Sequence, residues 1–273
     1  MPRVSIIIVT YNSIGQIDAC LGSLARTLSP LDHETLVVDN ASSDGTADAV
    51  RQRWPAVRVI EAGANVGFAR ASNIGIRQSS GAFVLLLNPD AEARPAAVGR
   101  LLDALESRPD AAVVGPRLVD EYGRPELSFG SMIGPFTELR QRVLVRGNDR
   151  GLPIIRGYVE RLTRRPREVD WVSGACLLVR RIDAEAIGLF DERYFMYAED
   201  VDFCAAIRAR GRKVLFTPDA EVSHLRGRSA ASHPQATRIA YRRSQLAFYE
   251  KHHPKWAPIL RAYLTVRNRL PPD

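Results

Sequence analysis

The stretch Leu85–Glu92, LLLNPDAE, runs three leucines into a polar exit. Consecutive apolar residues of this kind fit a strand buried on both faces, as in a parallel sheet covered by helices. Pro89 fixes its own φ and drives Asn88 into an extended conformation, so the strand ends there. Asp90 is thereby expected just beyond the carboxyl end of a central strand, where open α/β sheets bind their ligands. Three other expected strand exits carry polar groups: Thr10, Tyr11 and Asn12; Asp39 and Asn40; and Asn65 with Gly67. On one sheet edge these groups would converge in a single crevice. There Asp39 can accept hydrogen bonds from a ribose or a base. The glycines of GANVGFARASNIG let backbone approach a ligand, and Arg70 can reach a phosphate. A second acidic cluster, AEDVDFC, sets Glu199, Asp200 and Asp202 at a helix start, where the dipole stabilises an anion by about 0.3–1 kcal/mol.

The elements that must position these groups follow from periodicity. Val4–Val9, Glu34–Asp39, Val57–Glu61, Phe83–Leu87 and Ala112–Val114 read as strands. Helices are expected between them at Ser13–Leu28, where Ile14, Ile17, Leu21, Leu24 and Leu28 recur, then at Thr46–Trp54 and Phe68–Ser79. A fourth, opened by Pro95, carries Val98, Leu101, Leu102 and Leu105. Such alternation implies an α/β fold with a mostly parallel sheet flanked by helices. After Arg117 the pattern breaks, and Ser131–Arg167 reads as an irregular basic insertion or flap. Order returns with strands at Val169–Val172 and Ala175–Val179, and with a helix at Glu199–Arg210 that Gly211 stops. Val214–Phe216 and Glu221–His224 read as the last two strands, and the tail from Ser232 as helical. The expected organisation is one catalytic domain over 1–226, with 131–168 as the variable insertion, and a basic helical extension over 227–273.

The 273 residues, 45% hydrophobic and 25% charged, can bury an ample core. Three cysteines without CxxC spacing argue against a disulfide framework or a zinc site and for a reducing compartment. With neither a signal peptide nor a membrane span, a soluble cytoplasmic protein is expected. The net charge of +7 is local: nine arginines face three acids between Glu138 and Arg167, and ten Lys and Arg face two acids from Arg226 to the end. The rest is net acidic. Local basic surfaces suit an anionic partner such as a phospholipid face. Ile259, Tyr263, Val266 and Leu270 fall at helical spacing near Lys255, Arg261, Arg267 and Arg269, in a helix too short to span a bilayer. It can lie on the inner face of a membrane, pack on the catalytic domain, or pair with a second subunit in a homodimer.

Six motifs in one order, SIIIVTYN, LVVDNASSDGT, NVGFARASNIG, LLLNPDAE, GACLLVRR and FDERYFMYAEDVDFC, resemble the family 2 glycosyltransferases of GT-A fold, in particular their rhamnosyltransferase-like branch. The resemblance covers roughly residues 3–226. It implies transfer of a sugar from a nucleotide diphosphate donor, usually with inversion and a divalent cation, Mn²⁺ or Mg²⁺. The family's D-x-D triplet matches Asn88-Pro89-Asp90, so only the last carboxylate remains as a metal ligand, and His224 matches a histidine that helps hold the metal. The family's general base matches Asp200. Thr10, Tyr11, Asn12, Asp39, Asn65, Gly67, Arg70 and Asn88 are expected around the nucleotide. Trp171, Gly174 and Glu199 are expected on the acceptor side. The resemblance favours dTDP-rhamnose as donor over other UDP- or GDP-sugars, and a glycan or polyprenyl-linked saccharide as acceptor, with no nucleic acid. A nucleotidyltransferase would want a glycine-rich basic loop that TYNSIGQ lacks. A non-catalytic adaptor for anionic surfaces would gain nothing from a crevice of acids.

Overall fold

A computed structural model describes residues 2–28, 31–225, 234–267 and 269–271. The first half alternates as expected: β1 (Val4–Thr10), α1 (Ile17–Thr27), β2 (His33–Asp39), α2 (Thr46–Arg53), β3 (Arg58–Glu61), α3 (Phe68–Arg77), β4 (Phe83–Leu87), a short β5 (Ala91–Ala93), α4 (Ala97–Glu106) and β6 (Ala111–Val119). The second half adds β7 (Phe129–Gly130), α5 (Pro135–Asp149), α6 (Pro153–Leu162), β8 (Arg167–Val169), β9 (Trp171–Val172) and β10 (Cys176–Arg180). It ends with α7 (Arg181–Ala186), α8 (Glu199–Ala209), β11 (Lys213–His224), α9 (Pro234–His252) and α10 (Ala257–Val266). Ser232 and the domain boundary expected at 226 lie outside the described residues.

The main sheet runs β3–β2–β1–β4–β10–β6–β11–β5, with β8 also paired to β11. Strands β1 and β4 are buried along their whole length. Successive side chains serve opposite faces: Ile6, Ile8, Leu85 and Leu87 enter one core layer, Ile7, Leu86 and Phe203 the other. Between β4 and β6 the chain inserts β10 antiparallel to both. This reversal aims the turn before β10 at the carboxyl ends of its neighbours. Val214–Phe216 and Glu221–His224 prove to be one strand, β11, whose register along β6 shifts between Thr217 and Glu221.

Two expectations need correction. Ile14 lies in the turn ahead of α1 and is 41% exposed, because the helix begins only at Ile17. The segment expected to be irregular is helical over α5 and α6, each with a proline in its first turn. Its apolar pattern misleads because it is split between two faces of α5, with Leu144 and Val145 packed on the core. Phe136, Leu139 and Val143 are exposed, whereas Glu138, Gln141 and Arg142 turn inward.

One carboxylate holds α5 to α9. Glu138 Oε1 accepts from Arg142 at 2.5 Å and Gln245 Nε2 at 2.7 Å, and Oε2 accepts from the Tyr249 hydroxyl at 2.7 Å. A second buried carboxylate, Asp202, holds the end of α9 to α8. It lies 2.9 Å from Lys251 Nζ and 2.6 Å from His252 Nε2, and accepts from the Tyr194 hydroxyl at 3.3 Å. Removing one member of a buried charge cluster leaves the others uncompensated. Asp202→Ala is therefore expected to lower the unfolding free energy by about 3 kcal/mol, read from the urea midpoint. A midpoint like that of the unsubstituted protein would contradict this anchoring.

Candidate active site

A crevice of about 540 Å³ opens at the carboxyl ends of β1, β4 and β11. Of the residues singled out in the sequence, Tyr11, Asn40, Asn65, Gly67, Asn88, Asp90, Gly174, Glu199, Asp200 and His224 line it. The others stand behind or beside it. Thr10 and Asp39 are buried against each other at 3.0 Å, and Asp39 also accepts from the backbone and hydroxyl of Ser42 at 2.9 and 2.6 Å. Asn12 Oδ1 accepts from the Ser43 amide at 2.8 Å. In this structure Thr10, Asn12 and Asp39 knit the β1 and β2 exits together. Arg70 is exposed and lies 3.7 Å from Glu192.

Gly67 is required by geometry. Its φ is +84°, and a Cβ there would lie 2.4 Å from the Phe195 carbonyl oxygen. That oxygen accepts from the Phe68 amide at 2.7 Å, so α3 seats the segment leading into α8. Tyr197 and Ala198 then take φ of 70° and 65°, conformations costly for non-glycine residues. The Ser244 hydroxyl, from α9, donates to the Met196 carbonyl at 2.7 Å and braces the same bend. The outcome is a helix whose first two residues both face the crevice.

Those two carboxyls differ. Asp200 accepts from the Gly174 amide and from the Val201 amide, each at 2.8 Å. Burial raises its pKa, and these amide donors oppose that shift. Glu199 is 7% exposed, and its Oε2 has no hydrogen-bond partner. Burial, and then the charge of Asp200, raise its pKa well above the ordinary 4.5. Environments that push two carboxyls apart assign them different jobs. The amide donors favour the charged form at Asp200, while burial and the neighbouring charge favour the protonated form at Glu199.

Across the crevice, His224 Nε2 lies 3.5 Å from Asp90 Oδ1, and Nδ1 lies 3.3 Å from Glu126 Oε2. Burial disfavours charge on this ring, but hydrogen bonds and charge from Asp90 and Glu126 outweigh it and raise the pKa to about 9. Sequence reasoning missed Glu126, which follows a turn nearly 100 positions from His224 and matches no motif. A divalent ion fits here as a weakly caged one. Among the described residues no group of three or more His, Cys, Asp or Glu side chains forms a metal cage. Asp90 and His224 Nε2 face one space, where the ring would ligate only on releasing the proton that Asp90 and Glu126 favour, and substrate phosphate oxygens would have to complete the shell.

Trp171 lines a second cavity of about 330 Å³ on the other side of Asp200. Its walls come from α5 and α9, with Ile133, Val145 and Phe248 among them. Asp200 and Tyr197 line both spaces, so the carboxylate sits where the two meet.

The profile of glycosyl transferase family 2 matches residues 5–185. The chain belongs to glycosyltransferase family 2. The N-acetylglucosaminyl-diphospho-decaprenol L-rhamnosyltransferase of Mycobacterium tuberculosis is 34% identical over 97% of this chain and 91% of its own length. The low-salt glycan biosynthesis hexosyltransferase Agl10 of Haloferax volcanii is 30% identical over 75% of this chain and 61% of its own. Among solved structures, the mannosyltransferase PcManGT of Pyrobaculum calidifontis, in complex with GDP-Man and Mn²⁺, shares the fold. Its TM-score is 0.64 at 22% identity, covering 96% of this chain and 69% of that one. This family 2 glycosyltransferase is thus an enzyme of GT-A fold in the rhamnosyltransferase-like branch, and the adaptor reading falls.

The glycosyltransferase should carry a pH signature of Glu199. Its folded pKa is raised, so the native state holds a proton that the unfolded chain releases near 4.5. The stability this proton contributes is complete below that value and is lost as pH rises toward the folded pKa. Glu199→Gln escapes the loss. Its melting temperature, relative to the parent, is expected to climb with pH across that window in scanning calorimetry. A pH-independent difference would mean that Glu199 is ionised in the fold.

Proposed function

We propose that this glycosyltransferase moves a rhamnosyl group from dTDP-rhamnose to a saccharide carried on a polyprenyl diphosphate, with inversion at the transferred carbon. The observation that carries the reading is the 34% identity with the mycobacterial rhamnosyltransferase, spread over nearly the full length of both chains. The apolar cavity beside Asp200 supports it, since an acceptor with a lipid carrier needs an apolar approach to the reacting carbon. A donor with another sugar on UDP or GDP is the second reading, and competition among nucleotide sugars decides between them.

In this scheme the donor occupies the crevice. The exposed ring of Tyr11 offers a face to the base, and Asn65, Gly67 and Asn88 offer close backbone and amide groups to ribose and diphosphate. Asp90 and His224 would hold a divalent cation, Mn²⁺ or Mg²⁺, which when bound supplies Lewis-acid stabilisation of charge on the departing diphosphate. Glu126 fixes the ring of His224 from behind, as carboxylates do for metal-ligating imidazoles. Asp200 receives the proton of the attacking hydroxyl as the new bond forms. Its raised pKa makes it a stronger base than an ordinary aspartate while its two amide donors keep it aimed. A single base-assisted displacement inverts the centre. The lipid carrier places the enzyme on the inner face of a membrane as a peripheral protein. Among the described residues no helix is long and apolar enough to cross one.

Two substitutions separate the halves of the site. Asp200→Asn is expected to lower turnover by about 10²–10⁴ with donor affinity in calorimetry unchanged, because the base acts on the acceptor. Glu126→Gln is expected to do the converse, weakening Mn²⁺ binding about 10- to 100-fold. Loss of donor affinity in Asp200→Asn, or unaltered Mn²⁺ affinity in Glu126→Gln, would contradict these roles.

A further inference from the structure

Helix α5 has an outer face that the catalytic scheme does not use. Phe136, Leu139 and Val143 recur at i, i+3 and i+7 and are all exposed, Phe136 by 77%. Arg140 and Arg146 are exposed beside them. A second stripe lies on α10, where Ile259, Tyr263 and Val266 recur at i, i+4 and i+7, with Val266 86% exposed. The opposite side of α10 is held to the protein, with Ala257 and Leu264 buried and Leu260 packed against the Phe248 and Tyr249 cluster. The stripes meet, because the Phe136 and Trp256 rings contact edge to face at 6.2 Å. Leu270, past the end of α10, is also exposed.

Seven or more large apolar side chains in one exposed tract exceed what a protein leaves to water without reason. The exposed charge around them is predominantly basic, and Glu250 of α9 is paired with Arg261 at 2.7 Å. Lys255, Arg267 and Arg269 are exposed, and Arg267 lies over the Tyr263 ring at 5.8 Å. From Lys251 to Pro271 the sequence has five basic residues and no acidic one. An apolar stripe rimmed by Lys and Arg is the chemistry of a helix lying in an anionic bilayer interface. A second copy would bring the same positive rim against itself.

We propose that α5 and α10 together form the membrane-docking surface, inserting Phe136, Leu139, Val143, Ile259 and Val266 among the acyl chains of an anionic leaflet. The surface gives α5 two tasks. Its outer face rests in lipid while its inner face walls the apolar cavity that ends at Asp200. A saccharide on a lipid carrier can then reach the base without its chain leaving the bilayer. This purpose rests on the reading of a lipid-linked acceptor, but the docking itself is measured without turnover.

The test is co-sedimentation of the full chain with phosphatidylglycerol and phosphatidylcholine vesicles at low and high salt. Phe136→Asp and Ile259→Asp are compared with the parent, and circular dichroism verifies their fold. The parent is expected to bind phosphatidylglycerol vesicles in preference, with a partition coefficient that falls with salt. Each substitution should lower that coefficient about tenfold while leaving turnover on a water-soluble, short-chain acceptor unchanged. Equal binding to both lipids, no binding at low salt, or full binding by both variants overturns the surface. So does light scattering that shows a dimer in the parent and a monomer in Phe136→Asp, since the face would then belong to a second copy. Vesicle binding without any rhamnosyl transfer would instead uphold the surface and remove the proposed reaction.

Discussion

Two backbone hydrogen bonds in the turn Ser173–Ala175 tie the halves of the site together. The Asn88 amide donates to the Ala175 carbonyl at 2.9 Å, and the Gly174 amide donates to Asp200 at 2.8 Å. The first fixes the strand exit that carries Asp90, and the second fixes the carboxylate proposed as base. Both depend on β10 running antiparallel between β4 and β6, which returns this turn to the carboxyl edge of the parallel strands. A displacement of the turn would therefore move the cation side and the base side at once.

Around this junction the protein buries more carboxyl groups than a core tolerates unassisted. Each is held by a different device. Asp39 takes hydroxyl and amide donors from Thr10 and Ser42. Asp202 takes Lys251 and His252, and Asp90 and Glu126 share the ring of His224. Glu199 has no partner for one oxygen, which sets its titration apart from that of Asp200 beside it. The devices also hold the carboxyl-terminal helices against the catalytic sheet and its helices. Through Asp202, Glu138 and Ser244 they brace the strained Tyr197–Ala198 bend from which α8 starts.

Much of this was legible in the sequence, for a physical reason. Strands buried on both faces read as unbroken apolar runs, so β1, β2 and β4 were evident, and the polar residue after each run marked the crevice edge. Asp90 stood out because a proline announces the strand exit before it, and a helix start marked the acids Glu199, Asp200 and Asp202, among which only the family resemblance singled out Asp200. What escaped depends on partners far apart in sequence. The antiparallel insertion of β10 is a pairing choice that periodicity cannot express. Helix α5 was hidden because apolar residues stand on two of its faces, Phe136, Leu139 and Val143 outside and Leu144 and Val145 inside, with Glu138 and Arg142 also turned inward. Asn12 also takes the amide of Ser43, a partner 31 positions away that its own surroundings in the sequence did not announce. Glu126 became visible only when folding set it behind His224.

The central claim is that one base, Asp200, drives a single displacement at the donor's anomeric carbon. Proton NMR of the glycoside formed from dTDP-rhamnose on a polyprenyl-diphosphate saccharide tests it most directly. The account predicts release of dTDP and an anomeric configuration in the product opposite to that of the donor. A product that retains the donor's configuration would contradict it, since two displacements and a carboxylate nucleophile would then be required.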